Sequence, residues 1–170
     1  MAYKFVDEIL DLVNENDEVI GKIKRSDAYA KRLKNFRGIN AFIINDKGQI
    51  WIPRRVKEKR FFPLCLDTSV GGHVISGETY EEAIVREVKE ELNLDLNKLS
   101  YRELGYLTPY KDGTSDFQKV FEIHYNQSPL FNKNDYITSY WLFPSEIEAR
   151  INAGDPAKTD LLLLIRIFYL

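Results

Sequence analysis

Glu87, Glu90 and Glu91 are spaced i, i+3 and i+4, so on a helix of about 100° per residue their carboxylates share one stripe. Like charges at that spacing repel by about 0.2–0.5 kcal/mol per pair, and Lys89 lies off the stripe. A hard divalent cation would relieve them. Mg²⁺ takes oxygen ligands in an octahedron and keeps several waters, so a few carboxylates and the phosphate oxygens of a substrate are what it needs. The plain alternative is an acidic helix face with nothing bound, with Arg86 in an ordinary i, i+4 ion pair with Glu90 or Glu82.

A helix must carry these groups, and the chain supplies one. Thr79 can cap it while Glu82, three residues on, completes a capping box. Tyr80, Ile84, Val88 and Leu92, four apart, form an apolar stripe for the core, and Asn93 tolerates the left-handed backbone that ends a helix. Upstream, Ile9 to Val13 and Val19 to Lys24 read as strands joined by a polar turn at Asn14 to Asp17, and Ser26 as the N-cap of a short helix through Leu33. Ile39 to Ile44 and Gln49 to Pro53 flank the turn Asn45 to Gly48 as a hairpin, and a short strand near Asp67 to Val70 ends in Gly71-Gly72. Tyr101 to Leu107, Phe117 to His124 and Ile137 to Phe143 read as strands, the first two separated by the turn Lys111 to Thr114. Pro144 opens a helix to about Ala153, and Thr159 or Asp160 caps a last one. Hairpins mixed with crossovers predict a layered α/β (α+β) domain rather than a simple doubly wound sheet.

With 44% apolar residues in 170 and no repeat or linker, the chain reads as one domain over residues 1–170, opened by a hairpin at 8–25. The net charge of -2 gives no global field toward nucleic acid or membrane. Locally, Lys22 to Arg60 carries thirteen Lys or Arg against three acids, and Glu78 to Asp95 seven acids against Arg86 and Lys89. That pairing suits a polyanion met directly by cations and through a metal by carboxylates. Cys65 is alone, so no intrachain disulfide forms. The opening MAYKFVDEIL is too acidic for a secretory signal and Leu161 to Ile165 too short to span a bilayer, so a cytoplasmic location is expected. His73 and His124 are too separate to propose a histidine metal site.

The run GHVISGETYEEAIVREVKEELNL, Gly72 to Leu94, resembles the Nudix box: a Gly, five residues, a Glu, seven residues, Arg-Glu, an aliphatic, any residue, Glu-Glu, any residue, a Gly and an aliphatic. Gly72, Glu78, Arg86, Glu87, Val88, Glu90, Glu91 and Leu94 fall in register, and only the late Gly departs, being Asn93. The resemblance implies an α/β/α sandwich with a mixed central sheet, and Mg²⁺, with Mn²⁺ as a substitute, held by Glu87, Glu90, Glu91 and the carbonyl of Gly72 or its neighbour. Glu90 or Glu91 would position or deprotonate the attacking water, and Arg86 would pair with Glu78 and orient Glu87. Arg54 and Arg55 close a strand beside which the family binds phosphate, Arg55 being the preferred contact, and Glu122 would supply an acid from outside the box.

The implied activity is hydrolysis of a diphosphate linkage in a small nucleoside di- or triphosphate by a monomer or homodimer, with no stable nucleic-acid partner and no membrane. Substrate choice would lie in the loops Val56 to Leu66, Lys111 to Asp116 and Asn126 to Asp135. Two alternatives stand beside it. VNENDEVIGKIKR, WIPRR and TSVGGHVISGETYEEA also resemble isopentenyl-diphosphate isomerase, but Gly71 stands where that enzyme has its cysteine and Phe36 where it has a ligand histidine; only His73 matches. A non-catalytic nucleotide-binding Nudix domain would have lost metal carboxylates, and all three are present.

Overall fold

The computed structural model describes residues 6–170. The first five residues, half of the segment read above against a secretory signal, lie outside the described residues. The strands are β1 (Ile9–Val13), β2 (Val19–Lys24), β3 (Arg37–Ile44), β4 (Ile50–Arg55), β5 (Val70–His73), β6 (Ser100–Leu107), β7 (Phe117–His124) and β8 (Tyr136–Leu142). The helices are α1 (Arg25–Ala30), α2 (Tyr80–Leu92), α3 (Pro109–Asp112), α4 (Pro144–Asn152) and α5 (Leu161–Tyr169), with a single 3₁₀ turn at Leu96–Lys98.

β1 and β2 form a separate antiparallel pair, and the other strands a mixed sheet ordered β6-β7-β3-β4-β8, with β5 also paired to β3. The β3–β7 ladder is parallel and the rest are antiparallel. Alternation along β3 explains the layers. Ile39, Ala41 and Ile43 pack with Tyr80, Ile84, Val88 and Leu92 of α2, while Phe42 joins Leu161, Leu164 and Ile165 of α5 and Ile147 of α4 on the opposite face. A mixed sheet between two helical layers is the expected α/β/α sandwich.

α2 follows its local signals. Thr79 and Glu82 close both bonds of the capping box, and Asn93 takes the left-handed C-cap at φ 53°, accepting from Lys89 through its side chain at 2.9 Å. Asn93→Ala is expected to lower stability by about 1 kcal/mol, some 3 °C in Tm, because a Cβ without a compensating amide is strained there. Asn93→Gly is expected to stay within about 0.5 kcal/mol, and thermal melts of the two variants check the difference.

Elsewhere the structure corrects the expectations. Ser26 does not cap α1: it lies inside the helix, which ends at Ala30, and donates from its N and Oγ to Asp7 at 2.9 and 2.7 Å, so a carboxylate distant in sequence supplies the cap. The short strand expected near Asp67 to Val70 instead spans Val70–His73, with Gly71 and Gly72 inside it, paired to Asn40 and Ile39. The turn at Lys111 holds the four residues of α3 before Gly113 at φ 74°. Asp160 precedes α5 without capping it, its carboxylate being used by Ser115 and Gln118. Among the described residues no helix is long and apolar enough to cross a membrane.

Candidate active site

β5 lies under α2, and the contact between them creates the site. A Cβ on Gly72 would overlap the carboxylate of Glu87, so glycine there lets that side chain lie flat against the strand. Arg86 locks it in place. The guanidinium donates to Glu87 Oε1 at 2.7 Å, to both oxygens of Glu78 at 2.7 and 2.9 Å, and to the carbonyl of His73 at 2.9 Å. Burial works against the charge of Arg86, yet the hydrogen bonds and charges of Glu78 and Glu87 outweigh it and hold the group firmly protonated. The expected Arg86–Glu78 pair and its role in orienting Glu87 are therefore visible as geometry.

Glu91, one turn on, points inward. Its Oε2 accepts from the Tyr136 hydroxyl at 2.8 Å and from the Gly71 amide at 3.3 Å. Burial, followed by the charges of Glu87, Asp135 and Asp67, pushes its carboxyl well above the ordinary range. Burial likewise lifts Glu87 to about 7 against the pull of Arg86. Glu90 differs: its side chain is 60% exposed and reaches Arg86 only at 3.4 Å.

All three glutamates, with Gly71 and Gly72, line one cavity of about 430 Å³. They do not converge as tightly as the helical spacing predicts. Among the described residues no three His, Cys, Asp or Glu side chains form a ready-made metal cage, because Arg86 draws Glu87 one way and Tyr136 draws Glu91 another. The donor set nonetheless fits a hard divalent cation: three carboxylates of mutually unfavourable charge, Glu87 among the buried groups, beside the two glycines of β5 in one cavity.

The same cavity also has a basic lining of Arg55, Lys59, Arg60 and Lys158. Arg55 holds the loop after β4, donating to the carbonyls of Phe61 and Phe62, both at 3.1 Å, and to Asp67 at 2.6 Å. It stands at the cavity as expected, but most of its donors are spent on protein. Arg54 is not brought to the site: its guanidinium binds Asp155 bidentately at 2.9 and 3.0 Å and the Leu64 carbonyl at 2.9 Å, outside the cavity lining. Glu122 is also placed apart, paired with Arg102 at 2.9 Å and accepting from Tyr169 at 2.8 Å. Strand alternation is the reason in both cases, since neighbours on β4 and β7 leave on opposite faces.

Several site groups carry no motif. Tyr136 on β8 and the loop amide of Asn132, which donates to the Glu91 carbonyl at 2.8 Å, reach α2 from distant sequence, and buried Asp67 holds Arg55. Glu8, His73 and Tyr29 form a chain at the cavity edge: His73 Nδ1 lies 3.3 Å from Glu8, and its Nε2 shares a hydrogen bond with the Tyr29 hydroxyl at 2.9 Å. Only the position of His73 next to Gly72 could have pointed to it. Phe36 is buried in a small cluster with Leu10 and Ala28.

Comparison with known proteins agrees with this geometry. Residues 34–162 match the NUDIX domain family. An uncharacterized Nudix hydrolase of Nostoc sp. is 57% identical over 162 residues, 95% of this chain and 96% of that protein. A crystal structure of a Deinococcus radiodurans protein superimposes with a TM-score of 0.93 at 50% identity, covering 96% of this chain and 100% of that one. An isopentenyl-diphosphate Delta-isomerase of Photorhabdus laumondii is more distant, 27% identical over 149 residues, 85% of this chain and 84% of that enzyme.

Proposed function

Because the chain belongs to the Nudix hydrolases, enzymes of acid anhydrides in phosphorus-containing compounds, we propose that it is a Mg²⁺-dependent pyrophosphohydrolase of nucleoside di- or triphosphates. The observation that carries this reading is that the carboxylates of Glu87, Glu90 and Glu91 line one cavity together with the cations Arg55, Lys59 and Lys158. Within it, residues 1–170 act as a single cytoplasmic domain on a small molecule, as monomer or homodimer.

Glu87, Glu90, Glu91 and the carbonyl of Gly72 would hold the metal, with Mn²⁺ as a substitute. When bound, a divalent cation neutralises charge on phosphate oxygens and makes a bound water more acidic. The chain's own residues do the rest. Lys158, Lys59 and Arg55, now paired with Asp67 and Asp135, would turn donors to the diphosphate oxygens. Arg86 keeps Glu87 from turning away. The carboxylate of Glu90 or Glu91 orients the attacking water and takes its proton as a new P–O bond forms and the anhydride P–O bond breaks.

A nucleoside diphosphate and triphosphate panel assayed with and without Mg²⁺ tests the proposal. Orthophosphate or pyrophosphate is expected only with the metal, and equal release in the presence of a chelator would refute it. Conversion of isopentenyl diphosphate without phosphate release would mark an isomerase instead, a reaction for which Gly71 offers no acid.

A further inference from the structure

The hairpin of β1 and β2 precedes residue 34, where the family match begins, yet it is bound to the box. Its contacts fall on the loop that leads from β5 to α2. Leu10 bridges to Ile75, and the Ser76 amide donates to the Ile9 carbonyl at 2.8 Å. Ile75 and Ser76 are among the five residues between Gly72 and Glu78 that the box motif leaves open.

Asp11 is the unusual group of the hairpin. Leu10 turns into the small cluster with Ala28 and Phe36, so alternation sends its neighbour to the other face of β1, where a carboxylate would ordinarily meet solvent. Asp11 is buried instead. Aspartate is seldom buried without partners, and both of its oxygens go to the loop after β5. Oδ1 accepts from the Ser76 hydroxyl at 2.7 Å and Oδ2 from the Gly77 amide at 3.1 Å. Gly77 presents that amide from φ 89°, a backbone that a side chain would strain.

The same turn aims Glu78. Its amide donates to the Ile75 carbonyl at 2.9 Å, and the Ile75 amide donates to Glu78 Oε2 at 2.9 Å. Held in this way, the Glu78 carboxylate receives the Arg86 guanidinium through both oxygens, and Arg86 in turn binds Glu87 at 2.7 Å. Hydrogen bonds and one tight turn therefore run without a break from β1 to Glu87. Arg86 can hold Glu87 in one place only while Glu78 is itself held.

We propose that Asp11 is a positioning residue for the hydrolytic reaction: it fixes the turn Ile75 to Glu78 and, through Glu78 and Arg86, sets where the Glu87 carboxylate stands. The inference deepens the hydrolase reading and rests on it. Groups that orient metal ligands from behind contribute about 10–100-fold to metal affinity or activity, which is the scale expected here.

Variants of the intact chain test it through two readouts, kinetics on a nucleoside diphosphate with Mg²⁺ and Mn²⁺ affinity by electron paramagnetic resonance. Asp11→Ala is expected to lower kcat by about 10–100-fold with KM within about threefold, and to weaken Mn²⁺ binding by about tenfold. Asp11→Asn should restore both to within about threefold, since its oxygen can accept from Gly77 while its amide donates to the Ser76 hydroxyl oxygen. On a Glu78→Gln background the further loss from Asp11→Ala should shrink below about threefold, because residues acting through one route do not add. Asn14→Ala is the structural control: it removes the acceptor of the Asn16 and Glu18 amides in the hairpin turn, at 2.9 and 3.0 Å. It should lower Tm and leave kcat and Mn²⁺ affinity within about twofold. Melting curves establish which variants fold; should Asp11→Ala not, Ser76→Ala, which breaks one of the two bonds, carries the same test with a loss of about three- to tenfold. Unchanged kcat and Mn²⁺ affinity, an equal loss in Asn14→Ala, no rescue by Asp11→Asn, or an undiminished loss on the Glu78→Gln background would overturn the proposal. Should the wild type hydrolyse no nucleoside diphosphate, the hydrolase reading falls and the Mn²⁺ affinities alone decide for or against Asp11; hydrolysis by variants that match the wild type would do the reverse.

Discussion

Glu91→Gln is expected to lower kcat/KM for a nucleoside diphosphate by about 10²–10⁴-fold while leaving the fold intact. The substitution keeps the shape of the side chain and an oxygen for the Tyr136 hydroxyl and the Gly71 amide, so it removes little but a charge. That charge sits among Glu87, Asp135 and Asp67, whose repulsion already holds the carboxyl well above its ordinary range once burial has raised it. Losing it should leave the metal-free protein as stable as the wild type or more so, whereas a structural role would cost stability. The wild type should also gain Tm on addition of Mg²⁺, since a ligand that binds only the native state stabilises it by mass action. Glu91→Gln should lose most of that gain. Activity within twofold of the wild type would remove Glu91 from the machinery.

Gly72→Ala is expected to cost about 1–3 kcal/mol of stability and at least 100-fold in kcat/KM. The new methyl occupies the place of the Glu87 carboxylate, and Glu87 cannot yield easily because Arg86 binds it at 2.7 Å while itself anchored to Glu78 and the His73 carbonyl. Either the strand shifts away from α2 or Glu87 leaves the cavity wall; both disturb the acid side of the site. Gly71→Ala is the matched control. Its methyl would approach Asn40 Oδ1 and Thr68 Oγ1 at 3.1 Å, a tight but adjustable contact away from the carboxylates. A smaller loss of activity is expected there, under tenfold. Equal effects at the two positions would contradict the account of Gly72.

Local signals carried the sequence reading furthest where structure is local. The capping box of Thr79 and Glu82, the four-residue apolar stripe of α2 and the left-handed Asn93 all act within a few residues, and each is present as expected. The register of Glu78, Arg86 and Glu87 likewise pointed to the pairing of Arg86 with Glu78, although Glu78 lies before α2 and helix geometry alone would not bring it there.

What stayed hidden is long-range. Sequence spacing placed Glu87, Glu90 and Glu91 on one stripe, but the rotation of each carboxylate is set by Arg86 and by Tyr136, forty-five residues beyond Glu91. Arg54 and Arg55 are adjacent in sequence and both were expected beside the substrate phosphates, Arg55 preferred; β4 sends Arg54 to Asp155 and Arg55 to the cavity. Glu122 was expected as an acid from outside the box, with a plain polar strand face as the alternative; Arg102 and Tyr169, distant in sequence, hold it away from the cavity. Ser26 carried a capping signal that Asp7 overrode from the chain's beginning. Asp116 entered the sequence reading only as the end of the loop Lys111 to Asp116; its burial and the charge of Asp160 beside it come from the fold.

The account depends on a divalent ion held by the acid wall of α2. Mn²⁺ binding followed by electron paramagnetic resonance tests that directly, since only the free hydrated ion gives the sharp six-line signal. Titrated into the wild-type protein, Mn²⁺ should lose that signal in proportion to protein, and added Mg²⁺ should restore it by competition. In the double variant Glu87→Gln, Glu91→Gln the signal should remain that of free ion at the same concentrations. Equal quenching by the two proteins would place the metal elsewhere and contradict the proposed site.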